Sequence, residues 1–410
     1  MADRLRILVS GMVAGDPQQG GATWAVLQYV LGLRELGHDV YFVEPIVPAS
    51  IRPIGAPLAM SLNGRYFHEV MMRFDLVHRA ALLRQDTRET IGLTHPQLVE
   101  ALKGTDLLIN ISGMLTDRTL FEMFPRRVYL DLDPAFNQLW SAVEGLDVRF
   151  EGHTHFVTVG QAIGSANCSI PTCGLIWQTT LQPIVLPEWP VTAADPAAAW
   201  TTVGNWRGYG SIRHDGVLYG QKAHSLRQFM ELPRRTHATF RLALSIHPAE
   251  VNDLHALHSA GWDLTDPASV TSTPDDYRTF IQQSKGELGI AKSGYVESHC
   301  GWFSDRSACY LASGRPVVAQ DTGFSRYLPT GDGLLAFNTT DEAAAAIATV
   351  DLDYRRHCRQ ARAIAESYFA ADRVLGTLLE RVGSSDPLAS GKPSIDGRRL
   401  HANESHGSHR

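Results

Sequence analysis

The densest run of residues able to do chemistry lies between Lys292 and Phe324. Ser304 is a residue type that caps helix N-termini, and a helix opening at Asp305-Arg306 offers unpaired N–H groups to an anion. Asp321 leads Thr322-Gly323-Phe324 away from an apolar run, where a short acid accepts hydrogen bonds from ligand hydroxyls while the Gly323 backbone orients them. Upstream, Arg207 follows one strand candidate and Lys222 opens the next helix after Gly220-Gln221. A planar guanidinium fork and an ammonium point charge at such a helix start can hold a diphosphate. Asp131-Leu132-Asp133 ends another strand; residues i and i+2 share a face, and Asp133 is a candidate general base. Asp16, in the first loop, is the second candidate. Gly20 and Gly21, where that loop meets a helix, let backbone approach a ligand or its phosphate. The glycines at 11, 15, 20 and 21 do not spell G-x-G-x-x-G, so nicotinamide binding loses its main support, although Glu44 stands where a ribose-binding acid would. His153 and His155 share a strand face without a Cys or carboxylate at ligand spacing, and no metal site is assigned.

The elements that must position these residues alternate. Arg6 to Ser10 reads as a short buried strand and Val26, Leu27, Val30 and Leu31 follow helical spacing. Gly37 ends that helix and Val40 to Val43 forms the next strand, the unit from which parallel sheets are built. Further strands are expected at Leu107–Ile111, Val128–Leu132 and Phe156–Val159. Four prolines from Pro183 to Pro196 mark a boundary. Beyond it, strands at Thr201–Trp206, Phe240–Ser245, Glu287–Ala291, Pro316–Gln320 and Leu334–Phe337 alternate with helices. These start near Lys222, Ala249, Pro274, Ser304 and Thr340, with Thr273 and Thr340 as caps, and a last helix runs from Tyr354 to Arg381. Two such blocks give an α/β protein of two Rossmann-like domains with parallel sheets facing across a cleft, at 1–185 and 196–382. A disordered tail is expected at 384–410 from its Ser, Gly, Pro and His content.

Composition narrows the function. The chain of 410 residues is 44% hydrophobic and 20% charged, which excludes wholesale disorder. A net charge of −6 argues against a broad nucleic-acid footprint. There is no apolar run of 18 residues for a membrane span, and the glycine-broken start does not read as a signal peptide. Five cysteines form no disulfide framework, so a reduced, cytoplasmic protein is expected.

The whole, over about residues 5–380, resembles the GT-B glycosyltransferases, nucleotide-sugar-dependent enzymes with two facing Rossmann-like domains. Gly20-Gly21 before a helix and Leu36-Gly37-His38-Asp39-Val40 look like the first-domain pattern. Arg207 and Lys222 look like the donor-diphosphate pair of retaining members, and Ala312-Ser313-Gly314-Arg315-Pro316-Val317-Val318 is similar to A-x-G-x-P-V-V. Retaining members carry two glutamates at positions held here by Cys309 and Gly301; Glu297 and Asp305 keep the pair's spacing, displaced by four. His299-Cys300-Gly301-Trp302 is spelled like the H-C-G-W of plant-type inverting enzymes, without their spacing to Gly314. The chain thus falls between the two subgroups.

The resemblance implies transfer of a sugar from a nucleoside-diphosphate sugar to a small-molecule acceptor, without a metal or resident cofactor. The second domain would hold the donor through Arg207, Lys222, Ser304 to Arg306 and Asp321 to Phe324. The first would bind the acceptor, with Asp133 or Asp16 as base. A nucleotide-sugar epimerase and a non-catalytic nucleotide-sugar-binding protein remain alternatives, and donor base, sugar, stereochemistry and oligomeric state stay open.

Overall fold

A computed structural model describes residues 4–384; beyond Ser384 the expected disordered tail lies outside the described residues. Apolar runs covered on both faces become parallel strands. The first sheet takes β1 (Arg6–Ser10), β2 (Asp39–Ile46), β3 (Ala80–Arg84), β4 (Thr90–Gly92), β5 (Leu107–Ile111), β6 (Arg126–Asp131), β7 (His155–Thr158) and β8 (Trp177–Thr179). Their order is β4-β3-β2-β1-β5-β6-β7-β8, and β4 alone runs antiparallel to its neighbour. Ile7, Leu8 and Val9 of β1 are fully buried at its centre.

The second sheet takes β9 (Trp200–Asn205), then, after a separate hairpin of β10 (Ile212–His214) and β11 (Val217–Tyr219), β12 (Phe240–Ser245), β13 (Asp263–Thr265), β14 (Gly286–Gly289), β15 (Val317–Gln320) and β16 (Leu334–Phe337). All six are parallel, in the order β13-β12-β9-β14-β15-β16. Strand order reverses between β9 and β14, the crevice where open α/β sheets bind ligands.

The expected strands form within two residues of their expected ends, except that β2 runs three residues past Val43 to Ile46, while β3, β4, β8, β13 and the hairpin are additional. Ala80-Ala81-Leu82-Leu83 lacks β-branched residues, and a short apolar run of that kind does not distinguish strand from helix. The hairpin turns at Asp215-Gly216, both with positive φ (48° and 80°), the signature of a tight type I′ turn. Thr339, not Thr340, caps helix Thr340–Leu352: its hydroxyl accepts from Glu342 N at 3.2 Å while the Glu342 carboxylate accepts from Thr339 N.

The final helix is not continuous either. Tyr354–Ile364 passes through a π-turn at Ala365–Phe369 and restarts as Ala371–Ser384. The interruption lets Ile184 of the proline-rich crossing exchange backbone hydrogen bonds with Phe369 and Ala371 (2.7 and 2.9 Å). Helix Ala371–Ser384 then lies on helix Gly20–Glu35 of the first lobe, at Gly32, where a Cβ would stand 2.6 Å from Leu375 Cδ1. The crossing itself is packed: Trp189 is 0% exposed and its ring centroid lies 5.1 Å from that of Trp24. One continuous apolar core runs from β1 through the crossing to Phe303 and Phe324, so the lobes meet through core and not through a wet hinge. Among the described residues no helix is long and apolar enough to cross a membrane. All five cysteines are free thiols.

Candidate active site at the junction of the lobes

The ligand end of the second sheet is built around Lys222, first residue of helix Lys222–Leu226. Its stem lies against Gly204 of β9, where a Cβ would stand 2.9 Å from Lys222 Cε, and its ammonium donates to the Ile290 carbonyl just beyond β14. Lys222 therefore lies beneath the crevice, 7% exposed, with a carbonyl and no carboxylate as its hydrogen-bond partner. Burial first, then the charge of Arg306, push its pKa down to about 7; Lys292 adds to this and Glu287 opposes it. Arg306 spans the same floor, donating through Nε to Glu287 Oε1 (2.5 Å) and through Nη1 to the Val203 carbonyl (2.8 Å).

Several expected donor contacts have other duties here. Arg207 is exposed and tied to Glu250, so it makes no clamp with Lys222. Ser304 does cap helix Asp305–Ala312, accepting from Arg306 N at 3.2 Å. Asp305 is enclosed, and burial raises its pKa. The space between Ser304, Arg306, Gln320 and Thr322 is only about 10 Å³, one water at most. Asp321 braces its own loop, accepting from Gly323 N (2.9 Å) and Ser325 Oγ (2.6 Å). Thr322 Oγ1 donates to the Trp302 carbonyl, and Phe324 is buried against Phe303. Gly323 (φ 89°) is required because a Cβ would sit 3.0 Å from the His299 carbonyl oxygen. These residues shape the wall of the crevice.

The first lobe contributes through β6. Asp131, 0% exposed, accepts from Asn137 Nδ2 (2.7 Å), Gln138 Nε2 (2.8 Å) and Thr158 Oγ1 (2.8 Å). It also accepts from Asp133 N (3.0 Å), and so fixes the turn. The two aspartates are not a pair: Asp133 points across the junction. Its Oδ1 accepts from Tyr209 Oη (2.6 Å), Lys292 Nζ (3.2 Å) and Tyr295 Oη, all from the second lobe. No described residue donates to Oδ2.

Lys292 lies over the rings of Tyr209 (4.0 Å to centroid), Phe136 and Tyr295 (both 5.3 Å), a cation–π cage closed by one carboxylate. Burial lowers its pKa and Asp133 opposes the shift. Both tyrosines are pushed well above their ordinary value by burial and by Asp133, so they remain hydrogen-bond donors. Beside this cluster a cavity of about 580 Å³ is lined by Ser112, Tyr129, Asn137, Trp140 and Tyr209.

The sequence reading did not single out Lys292, Tyr209 or Tyr295. Lys292 and Tyr209 follow shortly after strands at their ligand ends, the positional signal that brought forward Arg207 and Asp321.

The first loop is closed differently from expectation. Gly20 and Gly21 pack against the second lobe: Gly20 N donates to Thr271 O at 2.9 Å, and a Gly20 Cβ would stand 2.2 Å from Thr273 O. A Cβ on Gly21 would meet the Tyr277 ring at 2.8 Å. Both glycines are present for close approach of the second lobe. Asp16 is exposed in the same loop and absent from the cluster around Asp133. Glu44 is fully buried and accepts from Ala14 N (2.8 Å) and Gly15 N (2.5 Å); burial outweighs these N–H bonds and pushes its pKa up to about 7. It braces the loop and cannot reach a ribose.

No family model matches the chain, and no curated protein matches its sequence. Solved structures do match its fold. Anabaena HepE in complex with UDP-glucose is 13% identical, covering 93% of this chain and 100% of its own, with a TM-score of 0.55. An alpha-glucosyltransferase in complex with UDP and a 13-mer DNA containing an HMU base is 11% identical, with 93% and 100% covered and a TM-score of 0.56. Sucrose-phosphate synthase from Thermosynechococcus elongatus is 13% identical, with the same coverage and a TM-score of 0.52. The match extends over both lobes, and the architecture is that of the GT-B glycosyltransferases.

Proposed function

We propose, from the premise that this chain has the GT-B fold, that it transfers a glycosyl group from a nucleoside-diphosphate sugar to a hydroxyl of a small molecule. The observation that carries this reading is the meeting of Asp133 of the first lobe with Lys292, Tyr209 and Tyr295 of the second, next to a cavity of about 580 Å³. The acceptor lies in that cavity against Trp140 and Tyr209. Asp133 Oδ2 takes the proton from the acceptor hydroxyl as its oxygen bonds to the anomeric carbon. The bond from that carbon to the phosphate oxygen breaks, and its electron pair leaves with the nucleoside diphosphate. Lys292, 26% exposed at the junction, and Lys222 beneath the crevice supply positive charge where the leaving group gains negative charge. The reaction so written calls for no metal and no resident cofactor.

Two neighbours are complexes with UDP or UDP-glucose, which makes UDP the first probe. At a concentration about 100-fold above Kd, the correct nucleoside diphosphate adds about 2.7 kcal/mol of stability. A melting-temperature screen in which no nucleoside diphosphate produces an upward shift would overturn the reading. Turnover of the donor with no acceptor present would replace transfer with epimerisation.

The buried Lys222 adds a prediction about pH. Its folded pKa near 7 lies below the ordinary 10.5, so above neutrality the free protein holds it largely uncharged. An arriving diphosphate favours the ammonium form, and binding takes up a proton at pH 8 but not at pH 6. Calorimetric titration of UDP in buffers of different ionisation enthalpy should show that uptake at pH 8, and Lys222→Met should abolish it. Equal uptake by the variant would remove Lys222 from the donor site.

A further inference from the structure

We infer that the acceptor is itself a saccharide of at least two units, lying along two adjoining cavities of the first lobe. The inference rests on the proposed transfer and names the class of its acceptor. The first cavity is the one of about 580 Å³ beside Asp133; the second, of about 520 Å³, shares Asp147 and Arg149 with it as lining residues. Each has room for a sugar ring. Trp140 and Tyr209, with ring centroids 4.6 Å apart at 79°, offer aromatic surface to the C–H face of a pyranose. Around them stand Asn137, Glu144, Asp147 and Arg149, planar polar groups that exchange paired hydrogen bonds with neighbouring hydroxyls. Asn137 is oriented for this: its Nδ2 donates to Asp131 Oδ1 at 2.7 Å, which leaves Oδ1 as the acceptor. The second cavity repeats the pattern with Phe121, Arg118, Glu122 and Glu151. Carboxylates in both walls repel a phosphate-rich strand, and a wholly apolar acceptor would strip water from these groups without replacing its hydrogen bonds.

Tyr129 marks the first cavity as built for a polar ligand. It belongs to the lining and is 0% exposed, and its Oη has no hydrogen-bond partner among the described residues. A buried hydroxyl left unbonded costs free energy, and a ligand oxygen in the cavity would remove that cost. Burial, with the charge of Asp131 adding to it, raises the Tyr129 pKa, so the hydroxyl keeps the proton it donates. Two non-glycine residues of the same lining, Ser112 (φ 51°) and Arg149 (φ 64°), hold left-handed backbone, strain of a kind that collects at ligand sites. Arg149 Nη1 donates to the Gly113 carbonyl at 3.3 Å, which ties the wall between the cavities to the loop after β5.

The test is binding of the labelled full chain to an array of immobilised glycans, from single sugars upward, with the melting-temperature response to nucleoside diphosphates measured alongside. Some glycans of two or more units should bind, and their single units should bind about tenfold more weakly or less. Tyr129→Phe should weaken that binding by about tenfold without lowering the melting temperature, because the hydroxyl has no internal hydrogen bond to lose. Arg118→Ala, at an exposed position in the second cavity, should weaken two-unit glycans more than single sugars. A chain that responds to a nucleoside diphosphate but binds no glycan loses this inference and keeps the transfer reaction. Glycan binding without any response to a nucleoside diphosphate would end the transfer reaction, and the acceptor role with it. Undiminished binding by Tyr129→Phe, equal binding of one and two units, or equal losses for both in Arg118→Ala would each overturn the assignment.

Discussion

Asp133→Asn is expected to lower turnover by about 10²–10⁴-fold while leaving UDP affinity within a few-fold of the native protein. The substitution keeps the shape and removes the charge. In the native junction three donors converge on Oδ1, and an Asn carbonyl oxygen in that place can still accept from Tyr209 and Tyr295. The position of Oδ2 becomes an NH₂ group, which donates and cannot take a proton from the acceptor. The loss should therefore fall on kcat with little change in acceptor KM, because the side chain still fills its place. Lys292 loses the carboxylate that opposes its lowered pKa, so activity remaining in the variant should decline at lower pH than in the native protein. Steady-state kinetics and NMR assignment of the product's anomeric configuration check both points. A variant that keeps more than about a tenth of native turnover, or a product of retained configuration, would remove Asp133 from the role of base.

The second large effect concerns the floor beneath the crevice. Glu287 is 0% exposed, and its Oε2 has no hydrogen-bond partner among the described residues; Arg306 Nε on Oε1 is what compensates the buried charge. Arg306→Met is expected to cost about 3–5 kcal/mol in urea unfolding, because it leaves a carboxylate buried without its guanidinium. Glu287→Gln combined with Arg306→Met should recover most of that loss, since a neutral amide of the same shape lowers the desolvation cost. The double-mutant cycle separates the pair energy from lost packing. A single variant as destabilised as the double would mean that the Arg306 stem, not its charge, holds the floor.

The sequence alone determined most of the alternating elements of the two sheets, though not β3, β4, β8, β13 or the hairpin. Ile7 to Val9 and Leu334 to Phe337 are short apolar runs of strand length, and Gly37, Ser304 and Thr273 mark helix ends through backbone chemistry that neighbours hardly alter. Those are local signals. The two-lobed fold followed from counting them, and Asp133 could be singled out because it stands at the end of such a strand.

Tertiary structure alone decided what the charged residues do. Arg207, Asp321 and Glu44 have residue types suited to ligands, yet each is engaged by Glu250, by Ser325 and the Gly323 amide, or by the first loop. Gly20 and Gly21 look like a phosphate loop in one dimension and prove to be the contact surface for Thr271, Thr273 and Tyr277. Lys292, Tyr209 and Tyr295 meet Asp133 across 76 to 162 residues of chain. The physical reason is range. A helix cap or a buried strand is settled by residues a few positions away, whereas the partner of a long polar side chain is whichever group the fold delivers to its tip.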